Sequence, residues 1–231
     1  MTQTVTLDTK MNIRTIVWPI FLESVVRMSL MTVDVFMLAR YSDDAVAAVG
    51  LTGNFIFFLM LTYMIVSSGS AILVGQSLGA QNHRLAQQYA QAGFLLAILM
   101  SALVSCSFFS GIHSFIALYD LAPQVEIYAV QYATVVGSLS IGMSLSILLS
   151  TILRAHGYSK SPMTIQVVAG VVNMVGNYLA LFPPFGLPQT GVIGVAVATV
   201  SSQFVAAMAC LWLIIDSNNH ISSTDIDIIF Q

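Results

Sequence analysis

The sequence predicts an all-α, polytopic membrane protein whose six transmembrane helices form a single lobe. Three observations carry that expectation. Of 231 residues, 57% are hydrophobic and only 7% charged, whereas water-soluble domains carry about 25% charged residues. The apolar residues fall in long runs of about 20, the length a helix needs to cross a hydrocarbon core roughly 30 Å thick. None of the runs shows the ten-residue apolar–polar alternation of a barrel strand. A net charge of −3 removes the basic face that binding to nucleic acid requires, so the partner surface is the lipid bilayer.

The spans are placed at Ile13 to Leu38, Phe55 to Leu78, Gln91 to Ile112, Val125 to Leu149, Met163 to Phe182 and Gly191 to Ile215. Polar or helix-breaking residues separate them: Tyr41 to Asp44, Gln81 to Arg84, Tyr119-Asp120, Arg154 to Pro162, and Pro183 to Pro188. Residues 1–12 form an amino-terminal arm, 13–215 the six-span bundle, and 216–231 a polar tail read as poorly ordered. Lys10, Arg14, Arg84, Arg154 and Lys160 sit in the arm and in the second and fourth connections, and only Arg40 lies in the odd-numbered ones. The positive-inside rule then puts both termini in the cytoplasm.

The first span carries three ionisable residues, Glu23, Arg27 and Asp34. At 100° per residue, Arg27 is about 40° and Asp34 about 20° round from Glu23, so all three share one stripe. Twelve Leu, Ile, Val and Phe residues between Ile16 and Leu38 favour insertion by about 5 kcal/mol, against about 9 opposing from three central charges. The imbalance is relieved if Glu23 and Arg27 pair at i and i+4 and Asp34 faces a polar interior. Asp34 then binds a proton or cation; the alternative is that it snorkels outward and pairs with Arg40. Pro19 removes one helical hydrogen bond and permits a kink.

Asn173 and Asn177 lie one turn apart in the fifth span, and Thr199, Ser201, Ser202 and Gln203 cluster in the sixth. Their oxygens could ligate a small cation, though in membranes such groups also serve as interhelical hydrogen bonds. Gly75, Gly79, Gly137, Gly142, Gly191, Gly194 and Ala198 read as close-packing positions. Cys106 and Cys210 read as small core residues, and His83, His113 and His156 as interfacial. No phosphate-binding loop, His-Glu-x-x-His or nucleophile elbow is present, so the chain is not read as an enzyme and no cofactor is expected.

Ordered along the chain are Pro19 with Val33-Asp34, Ala45-Val46-Ala47-Ala48-Val49-Gly50, Gly75-Gln76-Ser77-Leu78-Gly79-Ala80, Leu153-Arg154-Ala155-His156-Gly157 with Ser161-Pro162-Met163, Asn173 to Asn177, and Gly191 to Thr199. In this order they resemble the multidrug and toxic compound extrusion (MATE) transporters, specifically their amino-terminal six-helix lobe. The resemblance implies a secondary antiporter of the bacterial inner membrane, expelling small organic, often cationic and amphipathic compounds in exchange for H⁺ or Na⁺. It implies that Asp34, Asn173, Asn177 and Thr199 form the cation or proton site, with Pro19, Glu23 and Arg27 structural or lining the cavity. No metal other than Na⁺ is implied. Many members carry Asp where this chain has Asn177, and losing that charge favours H⁺ over Na⁺.

The family has twelve spans in two lobes, and this sequence matches one. That leaves a second lobe, a symmetric homodimer, or a truncated, transport-inactive membrane protein that only packs with a partner. Phe55, Phe58, Met60 and Tyr63 are the expected adaptable contacts for an apolar substrate.

Overall fold

A computed structural model describes residues 13–184 and 188–220. Seven α-helices follow in order: α1 (Ile13–Tyr41), α2 (Asp43–Gly79), α3 (His83–Ile116), α4 (Pro123–Ser138), α5 (Ile141–Ala155), α6 (Lys160–Leu181) and α7 (Gly191–His220), with a 3₁₀ turn at Ala117–Tyr119. Among the described residues there is no strand. Local chemistry sets the turns. Ser42 caps α2 by accepting from the Ala45 amide at 3.4 Å, and Asn82 caps α3 through Leu85 N at 3.1 Å. Pro123 opens α4, where its missing N–H has no helical partner to lose.

Helices α2, α3, α6 and α7 are each long and apolar enough to cross a membrane. The expected single fourth span is two helices, α4 and α5, bent by 49° at Leu139-Ser140 and counting together as a fifth. The break is held by polar contacts from neighbouring helices: Tyr63 Oη lies 2.8 Å from Ser140 Oγ, and Ser105 Oγ donates to the Gly137 carbonyl at 3.4 Å. A bent helix at membrane depth persists when neighbours satisfy the groups it frees. Helix α1 spans 29 residues, long enough to cross, with its apolar character diluted by Glu23, Arg27 and Asp34. The sixth segment continues past its expected end at Ile215 as helix to His220, and residues 221–231 of the tail lie outside the described residues.

The bundle is built with large residues outside and small ones inside. Ile65, Phe109 and Leu118 are more than 70% exposed, while Ala45, Ala90, Ala129, Ala133, Ala196 and Ala206 are fully buried. Lipid is as apolar as leucine, so burying leucine gains little there, and small residues that let backbones approach hold the helices together. A Cβ on Gly137 would overlap the Phe108 ring, and one on Gly176 would meet Ala198 at 2.6 Å. Gly142 and Gly194 are likewise packed, against Phe204 and Ala180. Two expectations fail: Gly75 and Gly79 have no neighbour within 4 Å, because they lie on the outer side of α2. Cys106 is exposed, whereas Cys210 is buried beside Ser150 at 3.4 Å.

Candidate functional site

Helix α1 lies against α6, and α7 is wedged between α6 and the α4–α5 pair. That arrangement brings the closing turns of α1 and α6 against the third turn of α7. Asn177, almost fully buried, donates from Nδ2 to Asp34 Oδ1 at 3.0 Å. With the Asn173 amide nitrogen turned toward the carboxylate, Nδ2 donates to Asp34 Oδ2 at 3.0 Å, and its oxygen accepts from the Thr199 hydroxyl at 3.2 Å and the Thr199 amide at 3.1 Å. The carboxylate thus takes one amide donor on each oxygen. This arrangement suits the ionised form, since charged acceptors make the stronger hydrogen bonds. The four residues expected to form the site, Asp34, Asn173, Asn177 and Thr199, converge on one point.

The snorkelling alternative does not hold. The Arg40 guanidinium sits 5.3 Å over the Phe36 ring, a cation–π contact, while Asp34 turns inward to α6. Pro19, Glu23 and Arg27 fall on the α1 backbone, and their side chains lie outside the described residues.

A cavity of about 320 Å³ adjoins the carboxylate, roomy enough for several waters or part of a small organic molecule. Val26, Leu30 and Met31 of α1, Val167 and Gly170 of α6, and Ser202 of α7 form much of its wall, with Asp34, Asn173, Thr199, Gln166 and Gln203 as its polar groups. Phe55, Phe58, Met60 and Tyr63 do not line it. Phe55 stacks edge-on against Phe115, with centroids 5.1 Å apart, Phe58 is exposed, and Tyr63 is committed to Ser140. Their α2 faces point away from α6, something the order of spans does not reveal.

Sequence reasoning missed two residues, and one atom of an expected residue stands out. Tyr132 of α4 is buried and stands near Thr199, adding a fourth helix to the cluster. Gln166 reaches from the cavity wall to Ser146 Oγ at 3.0 Å. Asn177 Oδ1 is buried without a partner, an acceptor held beside the carboxylate. Tyr132 carries no span-level signal beyond being a polar-tipped residue in an apolar run. Among the described residues, no three His, Cys, Asp or Glu side chains converge on one point.

The MatE family profile matches residues 19–179, which include Asp34, Asn173 and Asn177. The chain belongs to the MatE family. Members of this MATE family are multi-pass membrane transporters rather than enzymes. Among relatives, the uncharacterized transporter YisQ of Bacillus subtilis is 28% identical over 90% of this chain and 46% of its own length. The probable multidrug resistance protein NorM of Thermotoga maritima is 30% identical over 80% of this chain and 40% of its own. A solved crystal structure of a MATE protein in complex with MaL6 superposes with a TM-score of 0.82 at 18% identity, covering 91% of this chain and 45% of that one. The chain therefore spans about half the length of the curated relatives it matches, and the MATE fold similarity extends over nearly all of it.

Proposed function

We propose that this chain is the amino-terminal lobe of a multidrug exporter driven by inward movement of a cation, with Asp34 as the group that carries the coupling ion. The observation that supports this most directly is the inward-turned Asp34 carboxylate, held by amides of α6 at 3.0 Å on the wall of a cavity between α1, α6 and α7. A carboxylate is expensive in lipid, about 2.5–3.5 kcal/mol on insertion scales, and is retained where it binds ions or protons.

H⁺ is the preferred ion. Both carboxylate oxygens already accept from amide N–H groups, and Asn177 contributes no second charge. A bare Na⁺ would need five or six oxygens and would have to displace both donors. Protonation needs only one amide to present its oxygen, and the unpartnered Oδ1 of Asn177 is available by rotation. The substrates are small, organic, cationic and amphipathic, as the multidrug names of relatives suggest; they would meet the apolar walls at Val26, Leu30 and Met31.

The lobe sits in the bacterial inner membrane with residues 1–12 and 216–231 cytoplasmic and 13–215 as its bundle. The open side of the cavity takes its opposing wall from a second six-span unit, a second lobe or a second copy of this chain. In reconstituted vesicles, Asp34→Asn is expected to abolish dye efflux driven by a pH gradient; unchanged efflux would take Asp34 out of the mechanism. Because the chain covers less than half of NorM, the competing reading is a membrane protein that packs with a partner and does not transport. Purified chain that stays monomeric in detergent and moves no dye would favour it.

A further inference from the structure

Helices α4 and α5 form one span by length and two by hydrogen bonding. The last rung of α4 runs from Leu139 N to the Val135 carbonyl at 3.2 Å, and α5 resumes with Ser144 N on the Ser140 carbonyl at 3.0 Å. Between them, among the described residues, the break is crossed by one shorter-range bond, from Ser140 N to the Gly137 carbonyl at 3.3 Å. The carbonyls of Val136, Ser138 and Leu139 and the N–H groups of Ile141, Gly142 and Met143 therefore lack the partner that a continuous helix would give them. Ser138 Oγ is also buried without a partner. A void of about 10 Å³ lies against this stretch, lined by Val136, Leu139, Ser140 and Met143 and, from α7, by Thr199, Val200 and Gln203.

Nothing covalent enforces the bend. Residues 136–143 contain no proline, so each carries the N–H that a straight helix uses, and Gly and Ser are residues at which proline-free kinks concentrate. What holds the bend is a set of hydroxyl contacts from α2 and α3. Tyr63 Oη lies 2.8 Å from Ser140 Oγ, and Ser105 Oγ lies 3.5 Å from that same oxygen while donating to the Gly137 carbonyl at 3.4 Å. The two arms also belong to different packed blocks. Ala129 and Ala133 of α4 are buried with Ala48, Ile112 and Ile116, whereas Leu148 and Ile152 of α5 are buried with Val74, Ala90 and Cys210. At the level of the break, the side chains buried between the blocks are those of Tyr63, Ser101, Ser140 and Ser144. Interlocked apolar side chains resist relative movement, and a layer of hydroxyls, each able to exchange one hydrogen bond for another, does so less.

We infer that Leu139-Ser140 is a hinge inside the lobe, latched in its bent form by the Tyr63 hydroxyl, about which the α5 block swings against the α4 block. In the straight form, the N–H groups of Ser140 to Met143 donate to the carbonyls of Val136 to Leu139. Each form satisfies what the other leaves open: hydroxyl contacts in the bent one, four helical rungs in the straight one. An element with two such arrangements is what a conformational step requires. Thr199 and Gln203 line both the void at the break and the cavity beside Asp34, so the swing moves a wall of that cavity. The hinge stands whichever ion Asp34 binds.

The test measures the swing by pulsed electron–electron double resonance between spin labels at Ile127→Cys and Lys160→Cys, on the full chain in lipid nanodiscs with Cys106 and Cys210 replaced by Ala. Both positions are exposed, one in the second turn of α4 and the other just past the end of α5. With arms of 16 and 15 residues bent by 49°, straightening lengthens the span by about 4 Å at 1.5 Å of rise per residue. Tyr63→Phe keeps the ring and removes the latch, and Ser140→Ala removes its acceptor; each is expected to move the main distance outward by about that 4 Å. Ser144→Ala removes a buried hydroxyl bonded to the Ala97 carbonyl at 3.2 Å, one turn past the break, and should keep the parent distance. Parent distances in both Tyr63→Phe and Ser140→Ala would overturn the hinge. An equal shift in Ser144→Ala would overturn it as well, because the change would then be a general loosening of the bundle. Neither result bears on Asp34, whose role is read from efflux.

Discussion

The interior between α1, α6 and α7 and the interior between α2, α3, α5 and α7 are built from the same kinds of helix and end differently. In the second, Val74, Leu148, Leu149, Ile152 and Cys210 are almost completely buried and interlock with Ala86, Ala90 and Ala97. The helices approach closely there: a Cβ on Gly93 would overlap Ser70, and Ser144 Oγ reaches across to the Ala97 carbonyl at 3.2 Å. In the first, the helices stand far enough apart to leave a cavity of about 320 Å³, and the space is faced by a carboxylate and amides. A charge is tolerated in this protein where packing is deliberately incomplete.

The contrast can be broken most severely in the dry interior. Ile152→Ala is expected to cost about 2–4 kcal/mol, because its surroundings cannot collapse to fill the void; reversible unfolding in detergent would show it. Val167→Ala, on the cavity wall, enlarges a space that already exists and should cost less than about 1 kcal/mol in the same assay. Equal losses at the two positions would mean that the two interiors are not mechanically different.

Asn177→Leu probes the polar side. It keeps the branching at Cγ, with somewhat more volume, but removes the donor on Asp34 Oδ1, which should destabilise the fold by about 1–3 kcal/mol, the usual consequence of stranding a buried polar group. The loss should be much smaller in an Asp34→Asn background, and a double-mutant cycle with no coupling would show that the two residues do not act as a unit.

The smallest expected effect is a pH dependence at the end where α5 stops. Burial pushes the His156 imidazole below its usual 6.5, partly opposed by its bond to the Ile152 carbonyl and reinforced by nearby His83. The folded protein therefore keeps His156 neutral while the unfolded chain takes up a proton as pH falls through 6.5. Stability is unaffected well above that value and declines below it. His156→Gln should flatten the acid-side fall in thermal midpoint by roughly 1–2 °C, and an identical pH profile in the variant would refute the assignment.

Much of this was legible in the residue order. Run length and the scarcity of charge specify membrane helices whatever their neighbours, because the cost of an exposed peptide group in hydrocarbon leaves few alternatives. The stripe that holds Asp34 could be read from helical periodicity, and so could the shared face of Asn173 and Asn177. The break in the fourth span was not legible. Gly137 to Ser140 contains no proline, and the bend is held by Tyr63 and Ser105, which lie on other helices. For the same reason the aromatic residues of α2 could not be assigned to cavity or lipid: a single helix does not say which of its apolar faces meets a partner.

What the sequence determined alone was the set of membrane helices and the presence of a carboxylate too costly to face lipid, since both follow from local transfer energies that each segment carries with it. Which amides meet that carboxylate, and where the helices part to leave a cavity beside it, were decided by tertiary packing. Those features depend on distances between α1, α4, α6 and α7, and small residues placed far apart along the chain set those distances.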